Sequence, residues 1–151
     1  MQIPKEYSQF KDKKALFVVT GVNEAVFYIA ADGVMNEVQR IKIEKPHYSD
    51  REGHFKIRRG GQTISSGAAY EENKEKLWQD FRKEFQKALG SILDLSLPNT
   101  IYLYTPAYMA VRMREEFSPK QQAVIRRVFR GNFFDAHPTK ILAKLKATQS
   151  A

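Results

Sequence analysis

Apolar residues along this chain fall into a few short runs and one long periodic stretch. Ala15-Leu16-Phe17-Val18-Val19-Thr20 is a continuous run, the pattern of a strand covered on both faces. Gly21-Val22-Asn23 reads as a turn, and Ala25-Val26-Phe27-Tyr28-Ile29-Ala30 as a second strand. Asp32-Gly33 follows, a pair that tolerates positive φ at both positions and so closes a tight hairpin. From Glu37 to Glu44, Ile41 and Ile43 alternate with Lys42 and Glu44, the period-two pattern of a third strand. Connections this short predict an antiparallel meander.

Pro46 ends the meander, and no period is visible from there to about Ala69. An aperiodic stretch of that length inside a small domain is usually functional or disordered. Next comes the strongest amphipathic pattern, predicting a helix over about Tyr70 to Leu93. Leu77, Trp78, Phe81, Phe85, Ala88, Leu89 and Ile92 recur at helical spacing and define an inward stripe. Lys74, Lys76, Arg82, Lys83 and Lys87 lie mostly on the opposite, solvated side. Glu71 and Glu72 are expected in the first turn, where the helix dipole favours acids.

Pro98-Asn99 marks a turn and Ile101-Tyr102-Leu103-Tyr104 a fourth strand. Pro106 is expected at the first position of a helix running to Phe117. Ser118-Pro119-Lys120-Gln121 has the form of a capping box opening a short helix. Val128 to Phe133 reads as a fifth strand. Pro138 opens a terminal helix with Ile141, Leu142 and Leu145 inward. The resulting order, βββ, long loop, α, β, α, α, β, α, predicts an α/β (α+β) fold with a mixed five-stranded sheet flanked by helices. The strand-helix-strand units require parallel pairing for the last strands.

The 151 residues predict one domain over 13–147, with 1–12 and 148–151 as flexible ends. At 42% hydrophobic and 12% aromatic, the composition is that of a globular chain. Cysteine is absent, which excludes disulfides, a thiolate nucleophile and zinc-thiolate sites. No apolar run approaches the length of a bilayer span, and no leader pattern is visible, so a cytoplasmic location and no membrane contact are expected. Lys plus Arg number 25 against 17 Asp plus Glu, a net charge of +8. That balance favours polyanionic partners, RNA phosphate among them.

The aperiodic stretch holds the most informative tripeptide, Gly60-Gly61-Gln62. Chance alone supplies it in roughly one in thirty chains of this length, so its flanks matter. Arg51, Lys56, Arg58 and Arg59 precede it, residues suited to phosphates that orient without reading sequence; the alternative is a merely solvated basic loop. Two glycines let a backbone approach a partner more closely than any side chain allows. The glutamine adds a backbone N–H and an amide with both donor and acceptor, groups that can place a water and stabilise charge on an ester under attack.

Arg58-Arg59-Gly60-Gly61-Gln62, followed by small residues and then by Glu71-Glu72-Asn73-Lys74-Glu75-Lys76-Leu77, resembles the central domain of archaeal and eukaryotic class 1 peptide release factors. The element order is similar to that domain and to ribonuclease H-like and translational-machinery-component arrangements. Tyr48-Ser49-Asp50-Arg51-Glu52-Gly53 further resembles a stretch in small bacterial release-factor-like proteins, some of which carry the label "host attachment protein". The resemblance implies catalytic roles for Gly60, Gly61 and Gln62, with the Gln62 backbone N–H and side chain acting at the ester. The partners it implies are large-subunit ribosomal RNA and peptidyl-tRNA, and it implies no cofactor. Two departures stand out. Thr63-Ile64-Ser65-Ser66-Gly67 replaces an Arg-containing, more helical stretch, and no codon-reading or partner-binding domain is expected, so rescue or quality control fits better than stop-codon termination. The alternatives are a non-catalytic RNA- or ribosome-binding module using the same loop, and a surface-interaction protein.

Other chemistries are weaker. His47, Asp50, Glu52 and His54 can all ligate metal, but at no recognised spacing, and no metal is expected. The first strand carries no acid, against a two-metal nuclease. Ser65 and Ser66 have no recognisable Ser-His-acid arrangement around them. Phe133 and Phe134 beside Arg130 could stack on bases, although burial of at least one is expected. His137 is expected just before the terminal helix.

Overall fold

A computed structural model describes residues 1–44 and 62–149, with side chains of 62–73 excluded. Strands β1 (Lys14–Gly21), β2 (Glu24–Ala31) and β3 (Val34–Lys42) form the meander. The long helix α1 (Gln62–Ser96) leads to β4 (Thr100–Thr105). A single 3-10 turn (Ala107–Met109), α2 (Ala110–Arg114) and α3 (Pro119–Gln122) precede β5 (Ile125–Arg130), and α4 (Pro138–Gln149) follows. The five strands form one sheet in the order β3-β2-β1-β4-β5. β1 pairs antiparallel with β2 and parallel with β4, and β4 pairs parallel with β5. The mixed five-stranded sheet flanked by helices is thus as the sequence pattern predicts.

The central strand β1 is buried on both faces because its apolar run has no polar alternation. Asp32 and Gly33 have φ of 46° and 81° and close the β2–β3 hairpin between paired Ala31 and Val34. Asn23, in the β1–β2 turn, has φ of 55°, a conformation Asn tolerates better than most residues. Ser118 and Gln121 make the reciprocal capping box in front of α3.

α1 covers one face of the sheet. Phe81, Phe85, Ala88, Leu89 and Ile92 meet Leu16, Val18, Phe27, Ile101 and Leu103. α4 covers the other, where Ile141, Leu142 and Leu145 join Phe17, Val19, Tyr102, Tyr104 and Phe129. Residues 1–12 contribute Ile3 and Phe10 to this second core, and Gln2 bridges to Val34 on the β3 edge.

The bounds of four elements differ most from the sequence reading. α1 begins at Gln62 rather than near Tyr70, so residues 62–69 are helical and Glu71 and Glu72 lie more than two turns inside. Its first turn carries no acid. β3 begins at Val34 and ends at Lys42. Pro106 is the N-cap of the 3-10 turn, not the first residue of a continuous helix, and α2 stops at Arg114. β5 spans Ile125–Arg130 rather than 128–133. There the exposed Arg126 and Arg127 interrupt the apolar pattern, because an edge strand needs burial on fewer of its positions.

Candidate functional site

Gln62 is the first residue of α1. A helix leaves its first four backbone N–H groups without intrahelical partners, and the macrodipole adds partial positive charge there. The backbone at the start of α1 therefore presents N–H donors and partial positive charge. Gly60, Gly61, Arg51, Lys56, Arg58 and Arg59 lie outside the described residues, as do His47, Asp50, Glu52 and His54. The described residues of this region are a long helical rod and the body that holds it.

That rod is 35 residues long, about 52 Å at the standard rise. Among the described residues its buried stripe is Trp78, Phe81, Phe85, Ala88, Leu89 and Ile92. Trp78, Phe81 and Phe85 form a ladder with successive ring centroids 5.7 Å apart. Phe85 also meets Phe27 of β2 at 5.5 Å and Phe117 at 5.8 Å. Gly90 meets nothing within 4 Å of a built Cβ, so its place in the helix is not forced by a close approach.

A polar clamp fixes the rod on its flank. Arg82 Nε donates to both carboxylate oxygens of Glu116, at 2.9 and 3.0 Å. Gln86 Nε2 donates to the Glu116 carbonyl and, at 3.2 Å, to its carboxylate. Glu116 is buried and Arg82 half exposed. The hydrogen bonds to Glu116, with its charge, push the Arg82 guanidinium above its ordinary pKa. A buried carboxylate is tolerated here because both oxygens are satisfied.

On the opposite face, the Tyr104 hydroxyl donates to the Ile141 carbonyl at 2.8 Å, and burial drives its pKa strongly upward. Tyr102 is raised by burial too, against the opposing charges of Arg126 and Arg127. Both tyrosines belong to the core. Phe134 is buried with Arg40 over its ring at 5.3 Å. Phe133 is half-buried and meets Tyr104 edge-on at 5.3 Å, so this pair is engaged within the protein. His137 Nδ1 accepts from the Thr139 backbone N–H at 3.2 Å, just ahead of α4. Burial and neighbouring Asp135 raise the Glu24 carboxyl, against Lys42 and Arg40. Among the described residues no group of three or more His, Cys, Asp or Glu could hold a metal ion, and no helix is long and apolar enough to cross a membrane.

Three exposed arginines, Arg126, Arg127 and Arg130, stand on the edge strand β5. A second grouping escaped the sequence reading altogether. Val22 and Asn23 from the β1–β2 turn, Lys74 and Trp78 from α1, and Tyr108 and Arg112 from the segment after β4 line a cavity of about 590 Å³. No single stretch of sequence signals it, because three distant segments supply it.

No protein-family model matches the chain, and no curated protein matches it. Among solved structures it is similar to an archaeal translation termination factor, aRF1, with a TM-score of 0.48 and 6% sequence identity. That similarity covers 91% of this chain and 39% of the other, so the chain spans about two-fifths of that factor's length.

Proposed function

We propose that this protein hydrolyses the ester of peptidyl-tRNA on the ribosome, in the manner of a release factor but without codon reading, as a rescue or quality-control activity in the cytoplasm. The observation that carries the reading is the sequence Arg58-Arg59-Gly60-Gly61-Gln62, whose last residue opens α1. Gly60 and Gly61 give the chain the freedom to enter a narrow, RNA-lined cavity. Gln62 stabilises the developing charge through its backbone N–H and positions the attacking water through its amide. Arg51, Lys56, Arg58 and Arg59 hold ribosomal phosphates. The sequence offers no evident protein base for this chemistry, so positioning dominates, together with the RNA around the ester.

Gln62→Ala, assayed on ribosomes loaded with peptidyl-tRNA, keeps the backbone N–H but removes the amide that positions the water, and is expected to lose about 10²-fold in hydrolysis rate, while sedimentation with large ribosomal subunits persists. Parental hydrolysis in that variant ends the enzyme reading. A second reading, a non-catalytic RNA-binding module, draws support from the three exposed arginines of β5. It requires that Arg58→Glu with Arg59→Glu weaken ribosome binding and flatten its salt dependence, with no hydrolysis in the parent protein.

A further inference from the structure

We propose that the cavity between α1 and the segment 107–112 is a stacking site for an unpaired RNA nucleotide, separate from the Gly-Gly-Gln tip. Its floor is Trp78, over whose ring the Arg112 guanidinium lies 4.0 Å from the centroid. Stacking on the indole restrains the guanidinium and leaves its N–H edge for a phosphate or a base acceptor. One wall is Tyr108, 74% exposed, with no aromatic neighbour among the described residues. Val22, 58% exposed, supplies an apolar surface across the cavity. A large aromatic face left in water beside fixed positive charge is the pairing that binds a base and its phosphate together.

The other lining groups narrow the ligand. Lys74 adds a second cation and Asn23 an amide that can read a base edge. Glu75 also lines the cavity and accepts a hydrogen bond from Gln79 at 3.4 Å. Its carboxylate disfavours a bare anion and suits a ligand that presents amino or hydroxyl donors as well as phosphate, as a nucleotide does. Bases of an A-form duplex are stacked away from such a site, so the ligand is single-stranded. The cavity lies outside the carboxyl ends of the parallel strands β1 and β4, a recurrent place for ligands in α/β sheets. Lys74 stands about 18 Å along α1 from Gln62 at the standard helical rise. A strand could therefore occupy the cavity and continue alongside the rod. The overall charge of +8 favours the same class of partner.

Trp78 is the chain's sole tryptophan, so its emission reports on the floor of the cavity directly. Titration of the full chain with a short single-stranded oligoadenylate is expected to change that emission saturably. The duplex with oligouridylate and an oligoglutamate peptide should act far more weakly. Tyr108→Ala is expected to weaken oligoadenylate binding about tenfold, Tyr108→Phe to retain it, and Arg112→Gln to weaken it with a shallower salt dependence. Tyr108 is exposed, so unchanged circular dichroism is expected in its variants. Parental affinity in Tyr108→Ala, or equal response to duplex RNA, overturns the proposal, and an equal response to oligoglutamate overturns it in favour of an acidic protein partner. Gln62→Ala should leave the titration unchanged, so loss of the tip hypothesis and loss of this one give different results.

Discussion

The two faces of the sheet are closed by different means. On the α1 side the large aromatics sit mainly on the helix, as the Trp78–Phe81–Phe85 ladder. On the α4 side they sit mainly on the strands, with Phe17, Tyr102, Tyr104 and Phe129 beneath the aliphatic Ile141, Leu142 and Leu145. Tyr104 and Phe129 stack there at 4.6 Å. A helix that carries its own rings is fixed in rotation as well as in place, since turning it would pull planar groups out of shaped slots. A helix that lays small aliphatic groups on an aromatic floor is held less specifically. The first arrangement supports the helix that begins at Gln62. The second closes the fold with a helix of 12 residues.

The contrast can be broken most severely at Phe85, which is fully buried and touches rings from α1, β2 and the turn after α2. Phe85→Ala is expected to cost about 3–5 kcal/mol in urea unfolding. Glu116→Ala comes next. It removes the carboxylate that accepts from Arg82 and, at 3.2 Å, from Gln86, leaving the Gln86 bond to the backbone carbonyl, and is expected to cost about 1.5–3 kcal/mol. On the proposed reading it also lowers peptidyl-tRNA hydrolysis at temperatures where the protein stays folded, because the rod loses its flank restraint. Tyr104→Phe sharpens the comparison from the other side. Losing the bond to Ile141 is expected to cost about 1 kcal/mol, with hydrolysis unchanged.

The smallest effect is at Glu24, beside Asp135. Its folded pKa is raised, so its stabilising contribution is present at low pH and is lost as pH rises from about 4.5 through the higher folded value. Glu24→Gln is expected to remove that decline, changing neutral-pH stability by at most about 0.5 kcal/mol. Chemical denaturation across that pH range measures it. A steeper decline in the variant would contradict the sign.

Much of the fold was legible because burial on two faces writes itself as unbroken apolar sequence, as in Ala15–Val19 and Ile101–Tyr104. The stripe from Trp78 to Ile92 was equally plain. Edges were harder. Arg126-Arg127 conceal the start of β5, while Phe133-Phe134 imitate a strand through packing that follows it. The first turns of α1 were invisible because Thr63-Ile64-Ser65-Ser66-Gly67 are weak helix formers with no apolar period. Of the site, the tripeptide could be read as a string, and its last residue as the opening of a helix could not. The Trp78–Arg112 cavity depends on segments that only the sheet's crossover brings together, and periodicity contains no trace of such convergence.

The clamp at Arg82 lies about 30 Å down the helix from Gln62. A beam held there behaves as a lever, and rocking it by about 5° would carry its leading end through about 2.6 Å, comparable to a hydrogen-bond length. Fine aim at one extremity is then a mechanical property of a carboxylate far behind it, and alterations near that fulcrum can shift the leading end without touching any residue there.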